Sequence, residues 1–160
     1  MQLLKARGAH VIGIATDANH PWLESLGVVL LDYSSPMPAE RILSVAPLGV
    51  DCLIDTHGAE YLELGLELGI APEHIETVAA SEFAGLIGAK TDGALMAASG
   101  AVWQEMVDLV AEGVIAVQAA SYPLREVQHA HVELDERHTG GKIVLIPPAG
   151  PTAWMPVCDR

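Results

Sequence analysis

Along the chain, short apolar runs alternate with segments in which apolar residues return every three or four positions. The runs at residues 10–15, 28–31, 50–55, 74–79, 115–118 and 142–146 predict β-strands. Several, such as Val28-Val29-Leu30-Leu31, have no polar alternation, the pattern of strands covered on both faces. Between them, Val102, Met106, Leu109 and Val110 fall on one helix face, and Gly113 follows as a left-handed cap. Leu62, Gly65, Leu66 and Gly69 share another face, where glycines let a helix backbone lie close to a sheet. Leu124, Val127, His131 and Leu134 predict a third helix, and Gln2 to Arg7 a short one at the start. Asn19 before Pro21, and Ser35 before Pro36, read as N-caps with first-turn prolines, opening helices near 20–26 and 36–46. Strands alternating with helices predict an α/β fold with a doubly wound, Rossmann-like, mostly parallel sheet. Strands 10–15, 50–55 and 74–79 are expected in one sheet.

One element of that fold is missing from the pattern. A doubly wound domain opens on a strand whose Gly-x-Gly-x-x-Gly turn holds a pyrophosphate at a helix N-terminus, but no two glycines here are spaced i, i+2. The chain reads as beginning just after that turn. In the order 3-2-1-4-5-6 the first strand lies between the strands at 10–15 and 50–55, so both are left with an edge to fill. Direct pairing of the two, insertion of another segment, with residues 142–146 the first choice for it, or a strand from a second chain would each close the gap.

Composition narrows the function. Eight Lys+Arg against 21 Asp+Glu give a net charge of -13, which repels nucleic-acid phosphates and anionic lipid surfaces. No apolar run approaches the roughly 20 residues needed to cross a bilayer, and no export signal is visible, so a cytoplasmic protein is expected. Cys52 lies in an apolar run and Cys158 in a polar tail, suggesting neither a disulfide framework nor a metal knot.

The strings Gln2-Leu-Leu-Lys-Ala-Arg-Gly-Ala-His-Val-Ile-Gly-Ile-Ala-Thr, Asn19-His-Pro-Trp-Leu-Glu-Ser-Leu-Gly, Leu31-Asp-Tyr and Val50-Asp-Cys-Leu-Ile-Asp-Thr occur in an order that resembles the cofactor domain of the medium-chain dehydrogenase/reductase superfamily. The quinone oxidoreductase-like, NADPH-dependent branch is the most similar. Tyr122-Pro-Leu-Arg-Glu-Val-Gln-His-Ala-His and His138-Thr-Gly-Gly-Lys-Ile-Val-Leu are similar to that family's ending, where the chain returns to a catalytic domain. The resemblance implies a partial cofactor domain over 1–118, a returning helix and strand over 119–147, and a loose tail over 148–160. It implies hydride transfer from a nicotinamide to a quinone or activated double bond in the complete enzyme, and a homodimer. The metal ligands of zinc-dependent branches lie upstream of the matched region, and no zinc is expected here.

Candidate binding residues cluster at strand ends. NAD-specific folds place an acid after the strand at 10–15, where this chain has Ala15, Thr16, Asp17, Ala18 and Asn19. A small residue followed by hydroxyl and amide groups suits the 2′-phosphate of NADP, whereas Asp17 argues for a ribose; equally, Thr16 and Asp17 shape a turn and Asn19 caps a helix. In similar enzymes Tyr33 lies beside the adenosine phosphate, and Thr56, His57 and Gly58 end the next strand on the ligand-binding edge. His57 is a candidate proton donor, although a lone loop histidine is more often structural or solvated. Ala79 would flank the nicotinamide through its backbone. His129 and His131 fall on a helix, where a spacing of two sends them about 200° apart, so they are no chelating pair. No catalytic residue is assigned, since Ser81, Ser99 and Ser121 lack a nucleophile elbow. Two functions compete: an NADPH-dependent reductase acting on a small molecule, and a self-associating Rossmann-like module without catalysis.

Overall fold

Each described strand has a helix as a neighbour in sequence, and each pairing is parallel. A computed structural model describes residues 1–16, 20–33, 39–135 and 141–148, the side chain of Ala94 excepted. The chain divides into two units, Met1–Val114 and Ile115–Arg160. In the first, α1 (Gln2–Ala6) leads to β1 (Ile12–Ala15), α2 (His20–Ser25), β2 (Val29–Asp32), α3 (Ala39–Val45), β3 (Leu53–Asp55) and α4 (Ala59–Glu67). There follow β4 (Ile75–Thr77), α5 (Ser81–Ile87), α6 (Gly93–Met96) and α7 (Gly100–Ala111). The second holds β5 (Ala119–Pro123), α8 (Val127–Asp135) and β6 (Lys142–Ile146). Among the described residues no helix is long and apolar enough to cross a membrane.

The α/β class with parallel pairing is as expected, but the strands form three ladders rather than one sheet: β1 with β2, β3 with β4, and β5 with β6. Residues 10–15 therefore do not share a ladder with 50–55 and 74–79. Nor does 142–146 enter between β1 and β3, because β6 pairs along its whole length with β5, from Ala119 opposite Lys142 to Pro123 opposite Ile146. Among the described residues β1 pairs with β2 and β3 with β4, and no strand pairs with both β1 and β3.

The strand expected at 115–118 forms four residues later. Val117 is well exposed and merely connects, whereas the ladder starts where the Lys142 N–H donates to the Gln118 carbonyl at 2.9 Å. Gly141, at φ 111°, permits that close approach, since a Cβ there would run into the Gln118 carbonyl. An apolar run reports burial, while the partner strand decides which residues are bonded.

Two apolar clusters hold the first unit together. Leu31, Ala39, Ile42 and Leu64 pack α3 and α4 onto β1 and β2, and Leu62, Ile70, Ile75 and Ala84 pack α4 and α5 onto β3 and β4. Val50 and Leu68 touch both clusters, so the core is continuous beneath the gap. Of the two glycines expected to seat α4, Gly65 does so: a Cβ there would lie 3.1 Å from Ile75 Cδ1. Gly69 instead adopts φ 78° just past the helix with nothing near it. It ends the helix.

Candidate functional site

Open α/β sheets bind ligands beyond the carboxyl ends of their strands, at the point where strand order reverses. In the first unit the chain moves from β1 to β2 on one side and from β3 to β4 on the other. A cleft of about 520 Å³ lies there, reached by residues of both β1 and β3. Ala15, Thr16, Tyr33, Thr56 and His57 all line it, so five of the eight residues chosen from sequence converge on one cavity. Gly58 adjoins it in sequence but turns its N–H toward Asp55, 3.1 Å away. Ala79 is not among the lining residues, and its N–H donates to Thr77 Oγ1 at 3.0 Å. Asn19 lies outside the described residues, as does Asp17.

The β3 side of the cleft is set by a buried polar knot. Asp55 and Thr77 end β3 and β4 and are 3% and 1% exposed. The Thr77 hydroxyl donates to Asp55 Oδ2 at 2.5 Å, while Asp55 Oδ1 accepts from the N–H groups of His57 and Gly58 at 2.8 and 3.1 Å. Thr77 Oγ1 in turn accepts from Ala79 and Ala80, each at 3.0 Å. One carboxylate and one hydroxyl thus fix the turns after both strands, and every buried polar atom of the described side chains has a partner. Sequence reasoning quoted Asp55 without giving it this task and passed over Thr77; an acid closing an otherwise apolar strand was the available signal.

His57, exposed on the rim, sits 3.3 Å from Glu60 Oε1 and edge-on to the Tyr61 ring, 5.4 Å between centroids. Burial raises the Tyr61 phenol above its ordinary value, and the charges of Glu60 and Asp55 add to the rise. Tyr61 is therefore a neutral hydroxyl at ordinary pH.

The β1 side is built differently. Tyr33, 49% exposed, offers its ring to the cleft, and its N–H donates to the Ala15 carbonyl at 3.4 Å. His20 Nε2 lies 3.2 Å from the same carbonyl, an arrangement that makes it a donor. Arg41, which sequence reasoning did not single out, donates from Nη1 to the Asp32 carbonyl at 3.1 Å and so holds a cation at the carboxyl end of β2. In a chain with eight Lys+Arg that placement stands out.

Cys52 also lines the cleft and is exposed. Among the described residues no three of His, Cys, Asp and Glu come together in a way that would hold a metal ion. His129 rests against the Tyr122 ring in α8, 5.5 Å between centroids, in a helix as expected. The second unit has its own cleft of about 320 Å³, walled by Tyr122, Leu124, Arg125 and prolines and poor in groups for chemistry.

Comparison with known proteins agrees with this fold. Solved structures with the same fold include AibC (22% identity, TM-score 0.71, 92% of this chain and 48% of that one) and the CurK enoyl reductase (19% identity, TM-score 0.65, 91% and 50%). An alcohol dehydrogenase superfamily protein from Novosphingobium aromaticivorans matches at 21% identity and TM-score 0.63, over 88% and 48%. The chain spans about half the length of each of these structures. No curated protein sequence matches it. The family model described as zinc-binding dehydrogenase matches residues 26–145, three quarters of the chain, and the protein belongs to that family.

Proposed function

We propose that this chain is the cofactor-binding part of an NADPH-dependent oxidoreductase that delivers hydride to a quinone or an activated double bond. The observation that carries the reading is the convergence of Ala15, Thr16, Tyr33, Thr56 and His57 on one cleft at the carboxyl ends of β1, β2 and β3. Membership of a dehydrogenase family supplies the reaction kind.

The residues fit a dinucleotide. The Tyr33 ring gives the adenosine half an apolar face, and Thr16 gives it a hydroxyl. Ala15, in place of an acid, removes the charge that would repel a 2′-phosphate, and Arg41 supplies a cation on that side. Toward the other half, Asp55 holds the His57–Gly58 turn in one conformation, and neutral Tyr61 stands behind it. The bound nicotinamide would supply the hydride; the protein's part is to bind, orient and exclude water. The donor set of the described residues does not make a zinc site.

Titration of NADPH and NADH against the purified chain, followed by nicotinamide fluorescence, tests the reading. Saturable NADPH binding, weakened several-fold more than NADH binding by Arg41→Ala, supports it. Silence with both nucleotides overturns it and favours the non-catalytic, self-associating module.

A further inference from the structure

The turn after β4 is held more firmly than its own packing explains. Val78 is 64% exposed and Ala79 is exposed beside it, so burial does little to fix either. The hold comes from hydrogen bonds. The Val78 N–H donates to the Asp55 carbonyl at 3.1 Å and the Thr77 N–H to the Lys90 carbonyl at 3.0 Å, so β4 is gripped on both edges where it ends. Thr77 stands opposite Asp55 in register, which brings the two side chains together on one side of the ladder. The Thr77 hydroxyl has one proton and two lone pairs, and all three are used: the proton on Asp55 Oδ2, the lone pairs on the N–H groups of Ala79 and Ala80. Asp55, with Oδ2 taken, turns Oδ1 to the N–H groups of His57 and Gly58. One buried hydroxyl therefore joins a turn on the cleft wall to a turn beside it. Exposed loops held still by a rigid scaffold, at the carboxyl ends of parallel strands, are where such sheets place their binding contacts.

We propose, resting on the nucleotide reading of the cleft, that Thr77 is a positioning residue for the nicotinamide half of the ligand. It is 1% exposed and does not line the cleft, so it touches no ligand itself. It sets the His57–Gly58 turn through Asp55 and the Ala79–Ala80 turn directly, and the two turns keep one spacing. A doubly wound sheet binds a dinucleotide as two mononucleotide halves. Thr16 and Tyr33, at the ends of β1 and β2, serve the adenosine half, which leaves the ends of β3 and β4 to the other. Loss of the Thr77 hydroxyl is therefore felt by one half of the ligand and not by the other.

Two variants of the full chain separate this role from a merely structural one. Thr77→Val keeps the shape of the side chain and removes its three hydrogen bonds, whereas Thr77→Ser keeps the hydroxyl and gives up a methyl group. NADPH and NADH are titrated by nicotinamide fluorescence, and 2′,5′-ADP, which carries the adenosine half alone, by calorimetry. Thr77→Val is expected to weaken NADPH and NADH alike, by about five- to tenfold, and to leave 2′,5′-ADP within about twofold, with Thr77→Ser close to the native chain. Equal loss of 2′,5′-ADP binding, the result of a general loosening, overturns the proposal, as does native affinity in the valine variant or failure of serine to rescue. Where Thr77→Val does not fold or 2′,5′-ADP binds too weakly to measure, hydrogen exchange in the native chain decides. NADPH should slow exchange at the His57, Gly58, Ala79 and Ala80 amides together, and slowing at the first two alone overturns the proposal. If the native chain binds neither NADPH nor NADH, the nucleotide reading falls and the role of Thr77 with it; each of the other failures strikes Thr77 alone.

Discussion

The two sides of the cleft are fastened by different means. On the β3–β4 side the core residues Leu62, Ile75 and Ala84 have no exposed surface, and the strand ends are tied by the Asp55–Thr77 knot. On the β1–β2 side the buried cluster is thinner, Val29 and Tyr33 are nearly half exposed, and the strand end is held by backbone contacts and single bonds from His20 and Arg41. The first side is over-determined, which suits a wall that must hold still. The second leaves polar groups and a ring facing outward, which suits discrimination between ligands. Stability and selectivity are thereby separated across one gap.

Truncations in the two cores give the largest expected contrast. Leu62→Ala should destabilise the chain by about 3–5 kcal/mol, and Leu31→Ala by nearer 2 kcal/mol, because the better-enclosed site collapses less. Urea unfolding followed by circular dichroism measures both, and equal losses would erase the distinction. Next comes the knot. Asp55→Ala leaves the Thr77 hydroxyl and two N–H groups without their acceptor and should cost about 2–3 kcal/mol. Asp55→Asn keeps an acceptor and should cost less, and a loss below ~0.5 kcal/mol for the alanine variant would show that the turns hold themselves. On the other side, Tyr33→Ala and Thr16→Ala should change stability by no more than ~0.5 kcal/mol while weakening NADPH binding several-fold in the same fluorescence titration. A large stability loss with unchanged binding would reverse the roles given to the two sides.

The smallest effect is expected in the second unit, where Tyr122 donates to the Glu133 carboxylate. That hydrogen bond is the main cause of a Tyr122 phenol raised above 10.0. Because folding favours the protonated phenol, the contribution is complete below pH 10 and is lost as pH climbs through the raised value. Tyr122→Phe should flatten this alkaline decline in melting temperature. An unchanged decline would assign it to other groups.

Where local pattern and tertiary partner agree, the fold was legible from residues alone. The strands at 12–15, 29–32 and 142–146 overlap the apolar runs read at 10–15, 28–31 and 142–146, the α7 stripe of Val102, Met106 and Leu109 came from its helical period, and the cleft residues Ala15, Thr16, Thr56 and His57 came from strand ends, with Tyr33 added by resemblance to a family. α5 was not read, because Gly85 and Gly88 break up a segment whose Ala84 is nonetheless fully buried. The strand at 119–123 was misplaced because Ala119, Ala120 and Ser121 carry no β signal of their own and are chosen by β6. The Asp55–Thr77 bond was out of reach for a further reason: it joins residues 22 positions apart, and periodicity says nothing about which polar groups meet.

The seat of α4 has a consequence for how this cleft can change over generations. Gly65 brings the helix axis close enough to β4 that one added carbon would press on Ile75 Cδ1 at 3.1 Å. The same helix begins at Ala59, directly after the His57–Gly58 turn. A methyl group at position 65 would push the helix outward by a few tenths of an ångström, and the turn at its start would travel with it. The width of the opening is thus written in a residue that touches no ligand, and a lineage can retune it from inside the core while every residue on the cleft wall stays the same.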